Sequence, residues 1–420
     1  AIVGFSSIAG RFGNGGQSDY SAANDLLAKS SLAMRATRPG TSGIVIDWTA
    51  WGDIGMATRG SIPTVMKAAG IDMLPAAIGV PFVRHELAGE AGSRELVVAG
   101  SLGMLLEEWH ETGGIDGEAV AADASGSVMV GAVRSFGLHD GLVVATTLDP
   151  TEQGFLDDHR IDGIPVLPGV MGMEAFAEAA TAPFPDLVVT AIEDVAFAAP
   201  FKFYKDEPRE FEVVVRYEDV DGSVVGRCSL IGTRHLPTLD EPQVTQHFSA
   251  TVTLGEERSQ LGSASVPPEA ASVAADDVYR IYFHGPAYQV LDRVWSADGS
   301  TVGAMASDLP ANQEPAVADL VTGPRLTELC FQTAGVQEIG TTGAMALPMA
   351  IDSIEFGSTP LAEEGAIAIV TARGGSFDAQ VTAPDGTVLL RIMGYATVQL
   401  PGGIDEGAIA PLREAMQTDG

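Results

Sequence analysis

Two stretches of this 420-residue chain carry side chains that can move protons, and their spacing is specific. In DDHRIDGIPVLPGVMGMEAF, His159, Gly163 and Pro168 stand in the pattern HxxxGxxxxP directly before a run of helical texture. Histidine, with an ordinary pKa near ~6.5, exchanges a proton close to cellular pH. Gly163 and Pro165 suit a turn that brings His159 over a bound molecule. The run Leu167-Pro168-Gly169 leads into a helix starting near Val170, whose first backbone N–H groups have no partner within the helix and can face a developing negative charge. Gly169 is the expected donor. Much later, RLTELCFQ puts Glu328 and Gln332 four residues apart on one face of a predicted helix from Arg325 to Gln337. Between these stretches, YFHGPAYQVL supplies His284, Gly285, Pro286 and Tyr288.

A different constellation opens the chain. In FSSIAGRFGNGGQSDYSAANDLLAK, Ser7 stands thirteen residues before Tyr20, and Asn24 lies one helical turn beyond the tyrosine. A tyrosine can protonate a carbonyl that accepts hydride if a hydroxyl orients the substrate and a cation lowers the phenol's pKa.

The elements that must hold these groups fall into two textures. From Ala1 to about Gly103, apolar strands (AIVGF, GIVIDW, ELVVAG) alternate with helical stretches, one from Tyr20 to Arg35 and one ending at Gly70. That alternation predicts a parallel α/β sheet. Residues 104–140 are rich in Gly, Ala and Asp and read as a linker. From about Gly141, strands of alternating polarity such as REFEVVVRYEDV and VVGRCSLIGTR surround one helix, Gly169 to Ala180. The same order recurs around the second predicted helix, which argues for two copies of a helix wrapped by an antiparallel sheet. The Pro/Gly/Asp-rich end is expected to be a flexible tail.

Charge and composition exclude several classes. The chain has 56 acidic against 23 basic residues, a net charge of −33, which repels nucleic acid. No apolar run reaches the ~18 residues a bilayer span needs, and no basic-then-apolar signal opens the chain, so a cytoplasmic location away from membranes is expected. Cys228 and Cys330 lack metal or disulfide spacing and read as buried thiols. His85, His110, His139, His235 and His247 show no pairing that suggests a metal. Lys202, Lys205 and Arg209 in FKFYKDEPREF form a local basic stretch in an acidic protein.

The motifs resemble two domain families of polyketide and fatty acid synthases. FSSIAGRFGNGGQSDYSAAND and IDWTAWGDIGMATRG resemble the later part of their ketoreductase domains, members of the short-chain dehydrogenase family. The HxxxGxxxxP stretch resembles the first half of double-hotdog dehydratase domains. YFHGPAYQ resembles their second motif, usually YGPxF, and RLTELCFQ their third, usually an aspartate followed four residues later by Gln or His. Details of RFGNGGQSDYSAAND and RLTELCFQTAG look closest to polyunsaturated fatty acid synthases and related iterative synthases. With no initiator methionine and an opening strand, residue 1 reads as a cut inside a larger polypeptide.

The resemblance implies an α+β protein: a truncated α/β piece over 1–103, a linker over 104–140, hotdogs over 141–260 and 261–402, and a tail over 403–420. It implies dehydration of a 3-hydroxyacyl thioester, with His159 as base, Glu328 as a carboxylic acid kept protonated by its pocket, Gln332 holding it, and Gly169 meeting the thioester oxygen. Gly163, Pro168, His284, Gly285, Pro286 and Tyr288 would shape the substrate pocket. Two residues depart from pattern: glutamate replaces aspartate at 328, moving the carboxyl by ~1.5 Å where a ~1 Å error can cost ~10²-fold in rate, and histidine replaces tyrosine at 284, where it could line the pocket, hydrogen-bond the carboxyl group, or do neither. The dehydratase would need no cofactor or metal. Its substrate would arrive on the phosphopantetheine of an acyl carrier protein, and its other partners would be domains of the same synthase and a second copy in a homodimer. In the ketoreductase piece Tyr20 would be the acid and Ser7 the orienting group, but the glycine-rich dinucleotide turn and the partner lysine are missing from residues 1–103, so NADPH turnover is not expected of it alone. A silent scaffold and a double-bond isomerase are the competing readings.

Overall fold

The computed structural model describes residues 2–416 except 39, 42, 89–93, 108–115, 138–140, 235–240, 270 and 401. The chain divides into two compact units, Ala1–Gly114 and Ile115–Gly420.

In the N-terminal unit, β1 (Ile2–Ser7) runs into α1 (Ile8–Phe12) and α2 (Ser18–Thr37), followed by β2 (Gly43–Trp48), α3 (Ile62–Ala68), α4 (Ala76–Ala88), β3 (Arg94–Val98) and α5 (Met104–Glu107). The three strands pair in parallel in the order β1-β2-β3. Every residue of β2 is buried, as its unbroken GIVIDW run predicts for the central strand of a parallel sheet. Ile44, Ile46 and Trp48 pack with Leu74 and Val98 into a small separate core.

The larger unit begins with α6 (Gly117–Asp123), β4 (Ala132–Gly137) and β5 (Gly141–Leu148). The short elements α7 (Gly154–Asp157), β6 (Arg160–Ile161) and β7 (Ile164–Pro165) follow, then the long helix α8 (Gly169–Thr181) and strands β8 (Val188–Phe197), β9 (Arg209–Val220), β10 (Ser223–Arg234) and β11 (Gln243–Gly255). The second half consists of β12 (Ser272–Ala274), α9 (Ala275–Val278), β13 (Leu291–Ala297), β14 (Ser300–Met305), α10 (Pro324–Thr342), β15 (Ala346–Phe356), β16 (Ile367–Arg373), β17 (Ser376–Thr382), β18 (Val388–Gln399) and α11 (Glu406–Met416).

Each half wraps its strands around one helix: α8 lies against β8 to β11, α10 against β13 to β17, and the two helices touch. Val170 to Ala180 are all buried, so α8 is enclosed by other elements on every face. Thirteen strands form one continuous antiparallel sheet, and the halves join where β8 pairs with β15 (Ala196 opposite Ala350, Ile192 opposite Ile354). This is the double hotdog. Two buried glutamates on α8 tie in the loops around it. Glu174 accepts hydrogen bonds from the N–H groups of Val321 (2.5 Å) and Thr322 (2.9 Å) and from the Thr322 hydroxyl, and Glu178 accepts one from the Met129 N–H (2.7 Å).

Two stretches differ from expectation. The segment 104–140 contains α6, capped by the Asp116 carboxylate on the N–H groups of Glu118 and Ala119, and β4, an edge strand paired with β5. Among its described residues Val120, Ala124, Met129 and Val130 are buried, while Met104 and Leu106 are exposed. The tail is also structured. In α11, Ile409 and Leu412 are buried against α10, where Gly340 lets Met416 and the Leu412 carbonyl approach so closely that a Cβ there would meet them at 2.8 and 3.0 Å. The PGGID that precedes α11 masks this short amphipathic repeat in the sequence.

Candidate active site

The HxxxGxxxxP spacing is a folded hairpin. Asp162 and Gly163, both at positive φ (51° and 77°), turn β6 back onto β7 in a two-residue loop, a conformation that glycine adopts without strain. His159 therefore meets Val166: the Val166 N–H donates to the His159 carbonyl at 3.0 Å, and the imidazole Nδ1 lies 2.8 Å from the Val166 carbonyl oxygen. A carbonyl can only accept, so Nδ1 carries the proton and Nε2 keeps its lone pair. Nε2 has no hydrogen-bond partner. Burial and the neighbouring His284 bring the His159 pKa down to about 4, against a smaller upward pull from Glu328 and Val166, so the ring is a neutral base at cellular pH.

The second half supplies the facing wall. His284 pairs with His159 through a backbone bridge, with ring centroids 5.4 Å apart. Asp158 fixes this junction: its carbonyl accepts from the Gly285 N–H and its carboxylate from the Ala287 N–H, both at 2.7 Å. Glycine is required at 285, because a Cβ would lie 2.2 Å from the Asp158 carboxylate.

Glu328 and Gln332 project from α10 one turn apart, as their spacing predicts, and both are buried. The Glu328 Oε1 accepts from Gln332 Nε2 at 2.9 Å and lies 3.3 Å from His284 Nε2. Its Oε2 makes no hydrogen bond. Gln332 is itself held by the Tyr288 carbonyl (2.9 Å) and the Tyr279 hydroxyl (2.8 Å). Burial pushes the Glu328 carboxyl up, but the hydrogen bond and charge of His284, helped by His159 and Gln332, outweigh it and hold the carboxyl below its ordinary range. The expected apolar pocket is present, yet with an imidazole in it the carboxyl is held down rather than raised toward the protonated acid the sequence reading expects.

His159, Gly169, His284, Glu328 and Gln332 all line one cavity of about 250 Å³, which Val166, Leu167, Phe197 and Phe331 make largely apolar. Gly169 opens α8 at its mouth, and a Cβ there would collide with the Phe197 ring at 2.8 Å. The other expected pocket residues stand behind this wall. Gly163 forms the hairpin turn, Pro168 caps α8, Gly285 and Pro286 carry the junction with Asp158, and Tyr288 is fully buried with its ring 6.2 Å from His159. Sequence reasoning missed Asp158, Tyr279 and Tyr282, although DDH and VYRIYFHGP print them next to the motifs.

The remaining candidates are structural. Arg209 stacks on the Phe201 ring at 3.8 Å and donates to the Lys202 carbonyl; Lys202 is half-buried, and of the two lysines in the basic stretch Lys205 is the exposed one. His247 is buried with Nδ1 on the Ala199 carbonyl, and both cysteines are buried free thiols. His110, His139 and His235 lie outside the described residues. Among the described residues no cluster could hold a metal, and no helix is long and apolar enough to cross a membrane.

In the N-terminal unit, Ser7 accepts from the Ala9 N–H and so caps α1, Tyr20 is half exposed, and Asn24 donates to the Tyr20 carbonyl, not its phenol. Its described residues contain no strand, glycine-rich turn and helix that would cradle a pyrophosphate, so they do not fit a nicotinamide cofactor.

Comparison with known proteins places this geometry. The family model described as "Polyketide synthase dehydratase domain" matches residues 129–227, the one described as "Polyketide synthase dehydratase N-terminal domain" matches 257–407, and the "KR domain" model matches 1–53. Among solved structures, the dehydratase domain from the CurF module of curacin polyketide synthase is similar with a TM-score of 0.53 at 19% identity, covering 65% of this chain and 99% of that one. The dehydratase domain of PpsC from Mycobacterium tuberculosis gives 0.51 at 20%, covering 66% and 99%. These likenesses define the fold as that of double-hotdog dehydratases.

The three family-model matches together support a ketoreductase-plus-dehydratase region of a polyketide synthase. A polyunsaturated fatty acid synthase component from Thraustochytrium sp. is 27% identical over 364 residues, 84% of this chain and 11% of that protein. The mycoketide-CoA synthase of Mycobacterium tuberculosis is 26% identical over 231 residues, 51% of this chain and 5% of that protein. The chain thus spans about a tenth or less of the length of these relatives.

Proposed function

We propose that the double hotdog dehydrates a 3-hydroxyacyl thioester carried on the phosphopantetheine of an acyl carrier protein, in the cytoplasm and beside other domains of one synthase. One observation carries this reading: His159 from the first half, with Nε2 unbonded, and Glu328 from the second, with Oε2 unbonded, line the same largely apolar cavity. His159 Nε2 takes the α-proton, and the electron pair of that C–H bond becomes the new C=C bond. The C–O bond breaks, and the hydroxyl leaves as water with a proton from the Glu328 side. The first N–H groups of α8, Gly169 foremost, face the thioester oxygen while it is negative. A cavity of about 250 Å³ houses the reacting end of an acyl chain, not its whole length. The exposed Lys205 suits an acidic carrier, whose approach it would favour.

The test is incubation of the full chain with a 3-hydroxyacyl pantetheine, followed by enoyl absorbance and loss of water by mass. General-base catalysis contributes ~10²–10⁴ in rate, so His159→Phe is expected to lose about that much. Equal rates for wild type, His159→Phe and Glu328→Gln would instead make the domain a silent scaffold.

A further inference from the structure

The acid side of the cavity contains one titratable group more than an acid needs. His284 and Glu328 are both buried, with side chains only 7% exposed, and the imidazole Nε2 lies 3.3 Å from the carboxyl Oε1. Oε1 therefore receives two donors, His284 Nε2 and Gln332 Nε2, while Oε2 receives none. Gln332 is pinned by Tyr279 and by the Tyr288 carbonyl and cannot turn away. His284 is pinned through the bridge to His159 and the Asp158 junction, and its ring stacks on Phe283 with centroids 4.3 Å apart. The contact is thus fixed from both sides.

We propose that His284 is the proton partner of Glu328, so that the acid of this site is a histidine–glutamate pair holding one proton in common. This inference rests on the dehydratase reading and adds a residue to it. Two charges of opposite sign in contact inside an apolar cavity stabilise each other far more than in water, whereas a lone carboxylate there would take up a proton. The other titratable groups that face Glu328 are Tyr279, Tyr282, Tyr288, Tyr395 on β18, His159 and Cys330, whose thiol burial and the Glu328 charge push up. Burial first, then the charge of Glu328 or of a neighbouring tyrosine, raises all four phenols far above the working range, so they do not compete for the proton. His159 is committed to the base role by its bond to Val166. In turnover, the one proton of the pair passes to the departing hydroxyl, which leaves as water, the pair is left with none, and the α-proton on His159 restores it through water.

The infrared absorption of the Glu328 carboxyl, assigned in the full chain by subtraction of Glu328→Gln, tests this without turnover. At pH 7 the wild type should show an ionised Glu328, and His284→Phe should show a protonated one. His284→Gln keeps a donor in place but cannot take the second proton. It should move the alkaline limb of the kcat profile by about one pH unit or more, with KM within about twofold. The same carboxyl signal in wild type and His284→Phe, or an unmoved limb in His284→Gln, would overturn the pairing. Absence of dehydration in every variant would remove the dehydratase reading and leave the infrared result to decide the pair by itself.

Discussion

The Asp158 carboxylate and the Ala287 N–H are joined by a 2.7 Å hydrogen bond across 129 positions of sequence. That bond, with the one from Gly285 to the Asp158 carbonyl, sets the base-bearing hairpin against the segment that carries His284. Through it one half of the double hotdog fixes the other directly at the site.

Asp158→Ala leaves the Ala287 N–H without its acceptor, a loss worth about 1–3 kcal/mol for a partly buried donor. Urea denaturation of the full chain should show that loss, and dehydration should fall with it because both histidines lose their register. Asp158→Asn retains an acceptor oxygen and should recover most of the stability.

The pH dependence of His159 has a definite sign. With its folded pKa depressed to about 4 from an ordinary ~6.5, the ring binds fewer protons folded than unfolded across that window, so its contribution to stability is full above about 6.5 and is lost as pH falls toward 4. Dehydration should likewise rise with pH through about 4, where the base becomes neutral. Thermal melts of wild type and His159→Phe at pH 7 and pH 4 check the first statement: the wild type should lose ground to the variant on acidification.

Glu178 behaves oppositely. Burial, with the charge of Glu174 beside it, raises its carboxyl to about 8, so the folded protein keeps a proton that the unfolded chain releases above its ordinary 4.5. Stability from this group is complete below about 4.5 and drains away as pH rises to about 8. Glu178→Gln, which retains an acceptor for Met129, should melt higher than wild type at pH 8 and level with it near pH 4.5.

Gly169→Ala places a methyl 2.8 Å from the Phe197 ring. Overpacking of this kind costs about 1–3 kcal/mol, and the shift it forces on the first turn of α8 should lower kcat more than it raises KM. A variant with unchanged kcat would remove Gly169 from the oxyanion role.

Much of this is legible in the residues. The glycine and proline spacing around His159 encodes a hairpin and a helix start, and the four-residue step between Glu328 and Gln332 encodes a shared helix face, because both are local geometry. What is not legible is what the fold brings together from a distance. FHGP leaves open whether His284 hydrogen-bonds the carboxyl, and only the fold decides it: the contact with Glu328 holds that carboxyl below its ordinary range. Gly285, Pro286 and Tyr288 look like pocket lining in the sequence, whereas they support the wall from behind, since a motif's spacing fixes its backbone but not which side faces the cavity. Composition makes a linker of residues 104–140 and a tail of 403–420, yet in both a handful of buried apolar side chains outweighs many glycines.

The seam at β8 and β15 has a further meaning. Two identical hotdogs related by a two-fold axis would carry every group twice and so make matched chambers. Covalent fusion releases the lobes from that symmetry. One lobe carries the imidazole hairpin, the other the carboxyl helix and His284, and both line one chamber, in which either wall can change without altering a duplicate of itself.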